Sequence, residues 1–429
     1  MRLQRRDASS ETPTVRRCFV ASVSLASAFL ALPAAAGAEA VALTEEVAVA
    51  LALSRPAVDD VAEGRIALAS ADRERIRRWP NPVLSFQHEE TDGQSGTTED
   101  YAWVSQTIDL AGRRRTRAAA AQHRVAAARA EGEGMLASRR AAVRARFYEA
   151  LLAQESAAAL AAWLEKGAGV ERIIRKRAQA GEASGYDRRR FEREQTSVRA
   201  RLATTTAALG RSRAVLAGLV GERDGSGAPW HALAGALRPS AELTPLAELL
   251  ARLPDRADLR VLSEAQRAAA LDRRAAGRWW LPDLTVGAGV KTVDADHERL
   301  FGPFVSASVP LPLLNQDQGD TGDATARLRV SRGEHQLALG VAEAEVRGLW
   351  VETTELIRAA AAFRTDAVEP SRALVHTAER AYQAGEMELL GLVDAYRGAL
   401  DAELQALELE MSARQAWIEL SRTTGADPS

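Results

Sequence analysis

Two aspartates stand where a charged side chain could act on ions. Asp187 and Asp394 each follow a glycine, Gly185 and Gly385, that interrupts a long helical pattern. Carboxylates at such positions can attract cations. A helix N-cap is an equal alternative for Asp187, because an aspartate there accepts a bond from a backbone N–H. A solvated helix residue is the alternative for Asp394.

The sequence offers no pattern for enzyme chemistry. The six histidines lie far apart along the chain, so none forms a metal-ligand pair. Gly287 and Gly289 lie in a predicted strand and lack the third glycine of a phosphate-binding loop. Cys18 is the only cysteine and precedes the predicted mature chain. We therefore expect no catalytic residue, no cofactor and no metal site, and the net charge of −2 does not suggest nucleic acid.

The N-terminus has the pattern of an export signal. Arg16 and Arg17 precede an apolar run over residues 18–32, and Ala36-Gly37-Ala38 fits a cleavage site. A membrane anchor is the alternative, but the run is shorter than the ~20 residues that span a bilayer. We predict a signal peptide over residues 1–38.

Composition and periodicity predict long helices. The chain of 429 residues is 46% hydrophobic but only 5% aromatic, and small alanine side chains suit closely packed helices. The predicted helical stretches are residues 113–179, 187–220, 321–383 and 387–424. At ~1.5 Å per residue the first would extend about 100 Å, which no compact domain requires.

Four short segments alternate apolar with small or polar residues and predict strands. They are residues 83–90, 101–110, 284–291 and 301–311. Such alternation suits soluble hairpins as well as a membrane barrel wall. Trp79, Trp279 and Trp280 at the strand starts favour a membrane interface.

The chain repeats itself at a period of roughly 200 residues. Residues 79–82 (WPNP) are matched by 279–282 (WWLP), residues 180–182 (AGE) by 384–386, and Pro56 by Pro254, each proline being expected to open a helix. The predicted domains are therefore a first repeat over 39–220, a Gly- and Pro-rich linker or equatorial segment over 221–245, and a second repeat over 246–429.

Four strands are too few to close a barrel, for which about eight is the minimum. No stretch after Leu32 is apolar enough for a membrane helix, so any membrane span would have to be a barrel built by several protomers.

The motifs and their order resemble the TolC-like outer-membrane efflux protein family over residues 44–424. The matching segments are WPNP at 79–82, QTIDLAGRR at 106–114, VPLPLLNQDQG at 309–319, and Tyr382 with Gly385 followed by LVDA at 392–395. The resemblance implies a mainly α fold with a small β part. Three protomers would form a long α-helical tunnel and a 12-stranded outer-membrane β-barrel, to which each contributes four strands.

The resemblance also implies a site at the periplasmic tips. Asp394 matches one of two aspartates at the family's entrance constriction, whereas the other falls on Gly391. Tyr382 matches a tyrosine that helps to close the entrance, but Met387 replaces an arginine expected there. The predicted entrance gate is Asp394, Asp187 and Tyr382. The predicted adaptor-docking residues, which also act as caps and turns, are Gly181, Ser184, Gly185 and Gly385.

The implied protein is a passive conduit in the outer membrane with a periplasmic tunnel. Its implied partners are two further copies of itself, outer-membrane lipid, a periplasmic adaptor and an inner-membrane pump of the RND type. The returns from the barrel strands to the tunnel helices resemble those of the branch that exports heavy-metal cations of the cobalt-zinc-cadmium and copper-silver types. Drug or dye export, type I secretion, and a soluble periplasmic coiled-coil scaffold or adaptor are the alternatives.

Overall fold

A computed structural model describes residues 42–91, 96–179, 185–221, 232–240, 242–295 and 298–425. The predicted signal peptide lies outside these residues. None of the described helices contains a stretch both long and apolar enough to cross a bilayer.

Nine helices account for most of the described chain. They are α1 Glu45–Leu53, α2 Pro56–Arg77, α3 Arg113–Gln179, α4 Gly185–Val220, α5 Leu246–Ala251, α6 Ala257–Ala276, α7 Gln318–Phe363, α8 Glu369–Ala384 and α9 Leu389–Thr424. Pro56 opens α2 as predicted. The 67-residue α3 has the predicted bounds, and the Asp109 carboxylate caps it by accepting the N–H groups of Arg113 and Arg114 at 3.0 and 2.6 Å.

Four strands form one antiparallel sheet in the order β1-β2-β3-β4. They are β1 Val83–Thr91, β2 Thr97–Ile108, β3 Leu284–Ala295 and β4 Glu298–Ser308. The two predicted strand pairs are thus joined, because β2 pairs with β3 along its whole length, from Thr97 opposite Ala295 to Ile108 opposite Leu284. The mainly helical fold with four strands is confirmed.

Both halves of the chain contain the same order of elements. A helix leads to a strand pair, and a long helix then leads away from it to a turn and a returning helix. Next to the sheet, α2 contacts α3, α3 contacts α6, and α6 contacts α7, so these four helices form a row whose edges are α2 and α7. The row therefore ends in α2 and α7, and the sheet ends in β1 and β4. Within the described part of the chain, each of these four elements lacks a neighbour on its outer side next to the sheet.

Three apolar clusters hold the helices together. The largest joins α1, α3, α4 and α9 around Phe147, Leu151 and Trp417, and it includes Leu233 and Leu237 of the predicted linker. Leu43 and Leu233 form an isolated parallel β-bridge through their backbones. The buried Arg414 donates to the carbonyl oxygens of residues 236, 237 and 238 at 2.8 to 3.0 Å. The described part of the linker is thus packed into the body of the protein.

Some predicted boundaries were wrong. Pro254 lies in a 3-10 turn, Leu253–Asp255, and α6 begins only at Ala257. The stretch predicted as one helix over 321–383 is interrupted by a π-helical turn, Arg364–Val368, because side-chain periodicity does not show a single-residue change in backbone winding. β4 ends at Ser308, before the prolines at 310 and 312, which cannot donate to a strand ladder.

Candidate functional site

The tip between α8 and α9 is a tight turn. The helix α8 ends at Gly385, which has a left-handed backbone with φ 81°. The N–H of Glu386 donates to the carbonyl of Ala381 at 2.9 Å, and that of Gly385 donates to Tyr382 at 3.2 Å. Glycine is favoured at this position because a side chain is strained there. The predicted role of Gly385 as a helix cap is therefore visible in the backbone.

The side chains near this tip divide into buried and exposed ones. Tyr382 is 3% exposed and packs in an apolar cluster with Leu389 and Leu392 between α3, α4, α8 and α9. Asp394 lies one turn further along α9 and is exposed, although its neighbours Val393 and Ala395 are buried. No hydrogen bond or ion pair joins the Asp394 carboxylate to another residue of the described chain. At the same tip, Tyr382 is thus part of the apolar packing and Asp394 is open to solvent.

The tip between α3 and α4 is described only in part. Asp187 lies inside the first turn of α4, which begins at Gly185, so the N-cap interpretation of Asp187 was wrong. The Asp187 side chain is outside what the structure describes. A Cβ atom built on Gly185 meets no atom within 4 Å. Gly181 and Ser184 lie outside the described residues.

A basic cleft opens beside Tyr382. It has a volume of about 550 Å³ and is lined by Lys166, Arg172, Arg175 and Lys176 of α3 and by residues of α8 and α9. The hydroxyl of Tyr396 donates to Glu379, and burial together with this bond raises the pKa of Tyr396. The indole of Trp163 donates to the Tyr396 carbonyl at 3.1 Å. The first contact holds α9 against α8 and the second holds α9 against α3 next to the tip.

Sequence reasoning missed an ion-pair network at the π-helical turn. Arg364 donates from two nitrogens to the carboxylate of Glu410, at 2.8 and 3.2 Å, and from a third to Glu403. Arg372 donates to the other oxygen of Glu403 at 2.8 Å. The hydrogen bond to Glu410 raises the pKa of Arg364. Glu403 and Glu410 are seven residues apart on α9 and thus share a helix face, a signal that could have suggested the network.

The sheet has two chemically distinct faces. One carries exposed apolar residues, with Phe86 71% and Val305 80% exposed. The other carries small residues, aromatic rings and a charged pair, including Gly287, Trp103 and Lys291. An exposed apolar face of this kind is typical of strands that contact lipid.

Comparison with known proteins gives the fold and the relatives. No family model matches the chain. The cobalt-zinc-cadmium resistance protein CzcC of Cupriavidus metallidurans is 28% identical over 360 residues, which is 82% of this chain and 82% of CzcC. Over most of its length the chain therefore resembles TolC-like outer-membrane efflux proteins.

Solved structures of TolC-like channels share its fold. The outer-membrane channel OprN superimposes with a TM-score of 0.73 at 19% identity, covering 89% of this chain and 90% of OprN. CusC superimposes with a TM-score of 0.73 at 16% identity, covering 89% of this chain and 92% of CusC. The predicted resemblance to the TolC-like family and its heavy-metal branch is thereby confirmed. These relatives are channel proteins rather than enzymes.

Proposed function

We propose that this TolC-like protein is the outer-membrane channel subunit of a tripartite efflux system, acting as a passive conduit made of three copies. The observation that supports this most directly is the pair of unpartnered edges in the helix row and the sheet. Joining the α7 edge of one copy to the α2 edge of the next would extend both layers at once. A head-to-tail contact of this kind forms a ring when the rotation between neighbouring copies closes, as it would for three copies related by 120°.

Both edge helices expose a stripe of small and apolar residues with coiled-coil spacing. On α2 the stripe is Ala57, Val61, Gly64, Leu68 and Ala71, with steps of four and three residues. On α7 the same spacing is found in Ala326, Val330, Gly333, Leu337, Gly340 and Ala344. Steps alternating between three and four place residues on one seam. Each edge is therefore suited to receive another helix.

Hydrogen bonds indicate which residues of the two seams lie at the same level. Arg114 donates to the carbonyl of Arg77 at 2.6 Å, which sets the end of α2 beside the start of α3. Arg278 donates to Thr116 at 3.1 Å, and Thr321 donates to the carbonyl of Ala276 at 3.5 Å. Arg77 and Thr321 are therefore at about one height.

The helices α2 and α7 run in opposite directions away from this height. Nine residues back from Arg77 is Leu68, and nine residues on from Thr321 is Val330, so these two residues should face each other. The same count of sixteen residues pairs Val61 with Leu337. Cysteines at Leu68 and Val330 should form disulfide-linked oligomers of up to three copies in the membrane. Because Cys18 lies in the predicted signal peptide, no native thiol of the mature chain competes. The control pairs Leu68 with exposed Leu374 on α8, far from this level, and should remain monomeric on denaturing gels. Crosslinking of the control but not of the test pair would refute this arrangement.

We infer that the exported substrates are heavy-metal cations, because the relative CzcC is named for cobalt, zinc and cadmium resistance. The partners would be an RND-type inner-membrane pump and a periplasmic adaptor that docks at Gly181, Ser184, Gly185 and Gly385. Deleting the gene should sensitise cells to these metal ions more than to dyes. Unchanged metal tolerance with greater dye sensitivity would favour drug or dye export instead. Release of the mature protein by osmotic shock as a soluble monomer would favour the soluble scaffold.

The entrance gate is proposed to include Asp394. Its exposure and its lack of a partner in the described chain support this, since three such carboxylates around one axis would attract multivalent cations. A trivalent cation on the periplasmic side should therefore reduce single-channel current, and Asp394→Asn should weaken this block without affecting assembly. Equal block in wild type and Asp394→Asn would remove Asp394 from the gate.

A further inference from the structure

The polar face of the sheet contains one charged pair between the two central strands. Glu99 on β2 accepts a bond from Lys291 Nζ on β3 at 2.6 Å. Its same oxygen accepts the hydroxyl of Tyr101 at 2.5 Å. The Lys291 ammonium also lies 5.0 Å from the centre of the Tyr101 ring, a distance at which cation–π attraction operates. One carboxylate, one ammonium and one phenol thus form a closed network.

Aromatic residues surround this network on the same face. Phe304 on β4 contacts the Tyr101 ring edge-on at 5.2 Å and the Trp103 ring at 5.4 Å. Gly289 makes room for Trp103, because a Cβ atom there would lie 2.5 Å from the Trp103 Cβ and 2.1 Å from the Ala102 carbonyl. The side chains of Glu99 and Lys291 are only 27% and 31% exposed. The packing therefore restricts how far the charged pair can separate.

The neighbouring residue on β2 points the other way. Asp100 is paired in register with His88, and their side chains meet at 2.6 Å on the face that carries Phe86. In a conduit whose apolar face contacts lipid, Glu99 and Lys291 face the lumen and Asp100 does not. Adjacent carboxylates on one strand therefore lie on opposite sides of the wall.

We propose that Lys291 is a tethered counter-ion that keeps the Glu99 carboxylates of the assembled channel from retaining the cations that pass through it. This inference rests on the proposed function. Three unpaired carboxylates at one level of the lumen would form a cation-binding ring, and conduction requires binding weak enough to release the ion. The ammonium of Lys291 occupies that position in each copy and balances the charge of Glu99. The exposed Glu89 of β1, which is paired in register with Glu99, adds a separate carboxylate to the same face.

The test uses purified oligomers in planar bilayers under a KCl gradient. Lys291→Met should shift the reversal potential toward K⁺ selectivity and introduce block by Ca²⁺ added on the extracellular side, at about 0.1–1 mM as for weak carboxylate sites. Glu99→Gln should shift the potential toward Cl⁻ selectivity. The double variant should return to the wild-type potential and show no more Ca²⁺ block than the wild type, because both charges of the pair are gone while Glu89 is unchanged.

Asp100→Asn is the matched control and should leave the reversal potential unchanged. If Lys291→Met fails to assemble, Lys291→Cys in the assembled channel replaces it. A cationic thiol reagent should then restore the wild-type potential, whereas a neutral reagent of similar size should not. Wild-type selectivity and no Ca²⁺ block in a conducting Lys291→Met or Lys291→Cys channel would overturn the inference alone. A wild-type oligomer that does not conduct would instead refute the proposed function, and this inference with it.

Discussion

Replacing Arg364 by methionine tests the ion-pair network where α7 meets α8. The substitution keeps an unbranched apolar stem but leaves Glu410, whose side chain is 10% exposed, without both of its bonds to the guanidinium. Glu403 keeps Arg372. Removing one partner of a buried ion pair costs about 3 kcal/mol, because the remaining charge stays buried and unpaired. We expect a loss of that size in the local stability of the segment.

Hydrogen exchange measured by mass spectrometry reports this loss. A change of about 3 kcal/mol corresponds to roughly 100-fold faster exchange of the amides in the π-helical turn and the facing part of α9, if they open locally. The double variant Arg364→Met with Glu410→Met should recover most of the protection, because it removes both charges. Arg358→Met is the control, since Arg358 pairs with Glu355 on the surface of α7 with both side chains more than half exposed. It should change exchange less than about threefold.

Two results would refute this reasoning. One is unchanged exchange in Arg364→Met while the oligomer remains intact. The other is a double variant whose loss equals the sum of the two single losses, because additivity would show that Arg364 and Glu410 do not interact.

Three further predictions concern glycines and pH. Gly289→Ala should abolish assembly, seen as loss of the heat-modifiable oligomer, because its Cβ would overlap the Ala102 carbonyl, whereas Gly302→Ala has open space and should assemble normally. Gly385→Ala should lower stability by about 1 kcal/mol through its positive φ, but Gly398→Ala inside α9 should raise it by about 0.5–1 kcal/mol, both read from thermal unfolding. Burial raises the pKa of Glu403, but Arg364 and Arg372 outweigh it and leave this pKa lowered. The stabilisation from ionised Glu403 is complete above the pKa of glutamate in the unfolded chain, about 4.3, and is lost as the pH falls through the pKa of Glu403 in the folded protein. The melting temperature of the wild type should therefore decrease more than that of Glu403→Gln between pH 5 and pH 3.

Local pattern alone determined the long helices and the four strands of this protein, although not all of their boundaries. The bounds of α3 follow from an uninterrupted helical composition between Gly112 and the break near Gly181, and the starts of β1 and β3 follow from alternation after Pro82 and Pro282. These features depend on residues close together in the chain, so they can be read from one sequence. The repeated order of elements then indicated the family resemblance.

Only the tertiary structure decided which distant residues meet. Glu99 and Lys291 are brought together by the register of β2 against β3, which periodicity does not specify between strands so far apart in the chain. Arg364 lies in the π-helical turn and meets Glu410 because this part of the chain packs beside α9. Tyr382 was expected at the gate from its position near Gly385, but it is buried in a cluster built by four helices, whereas Asp394 is left exposed by the same packing. Contacts of this kind arise from the assembled faces of several elements, and a pattern confined to one element does not contain them.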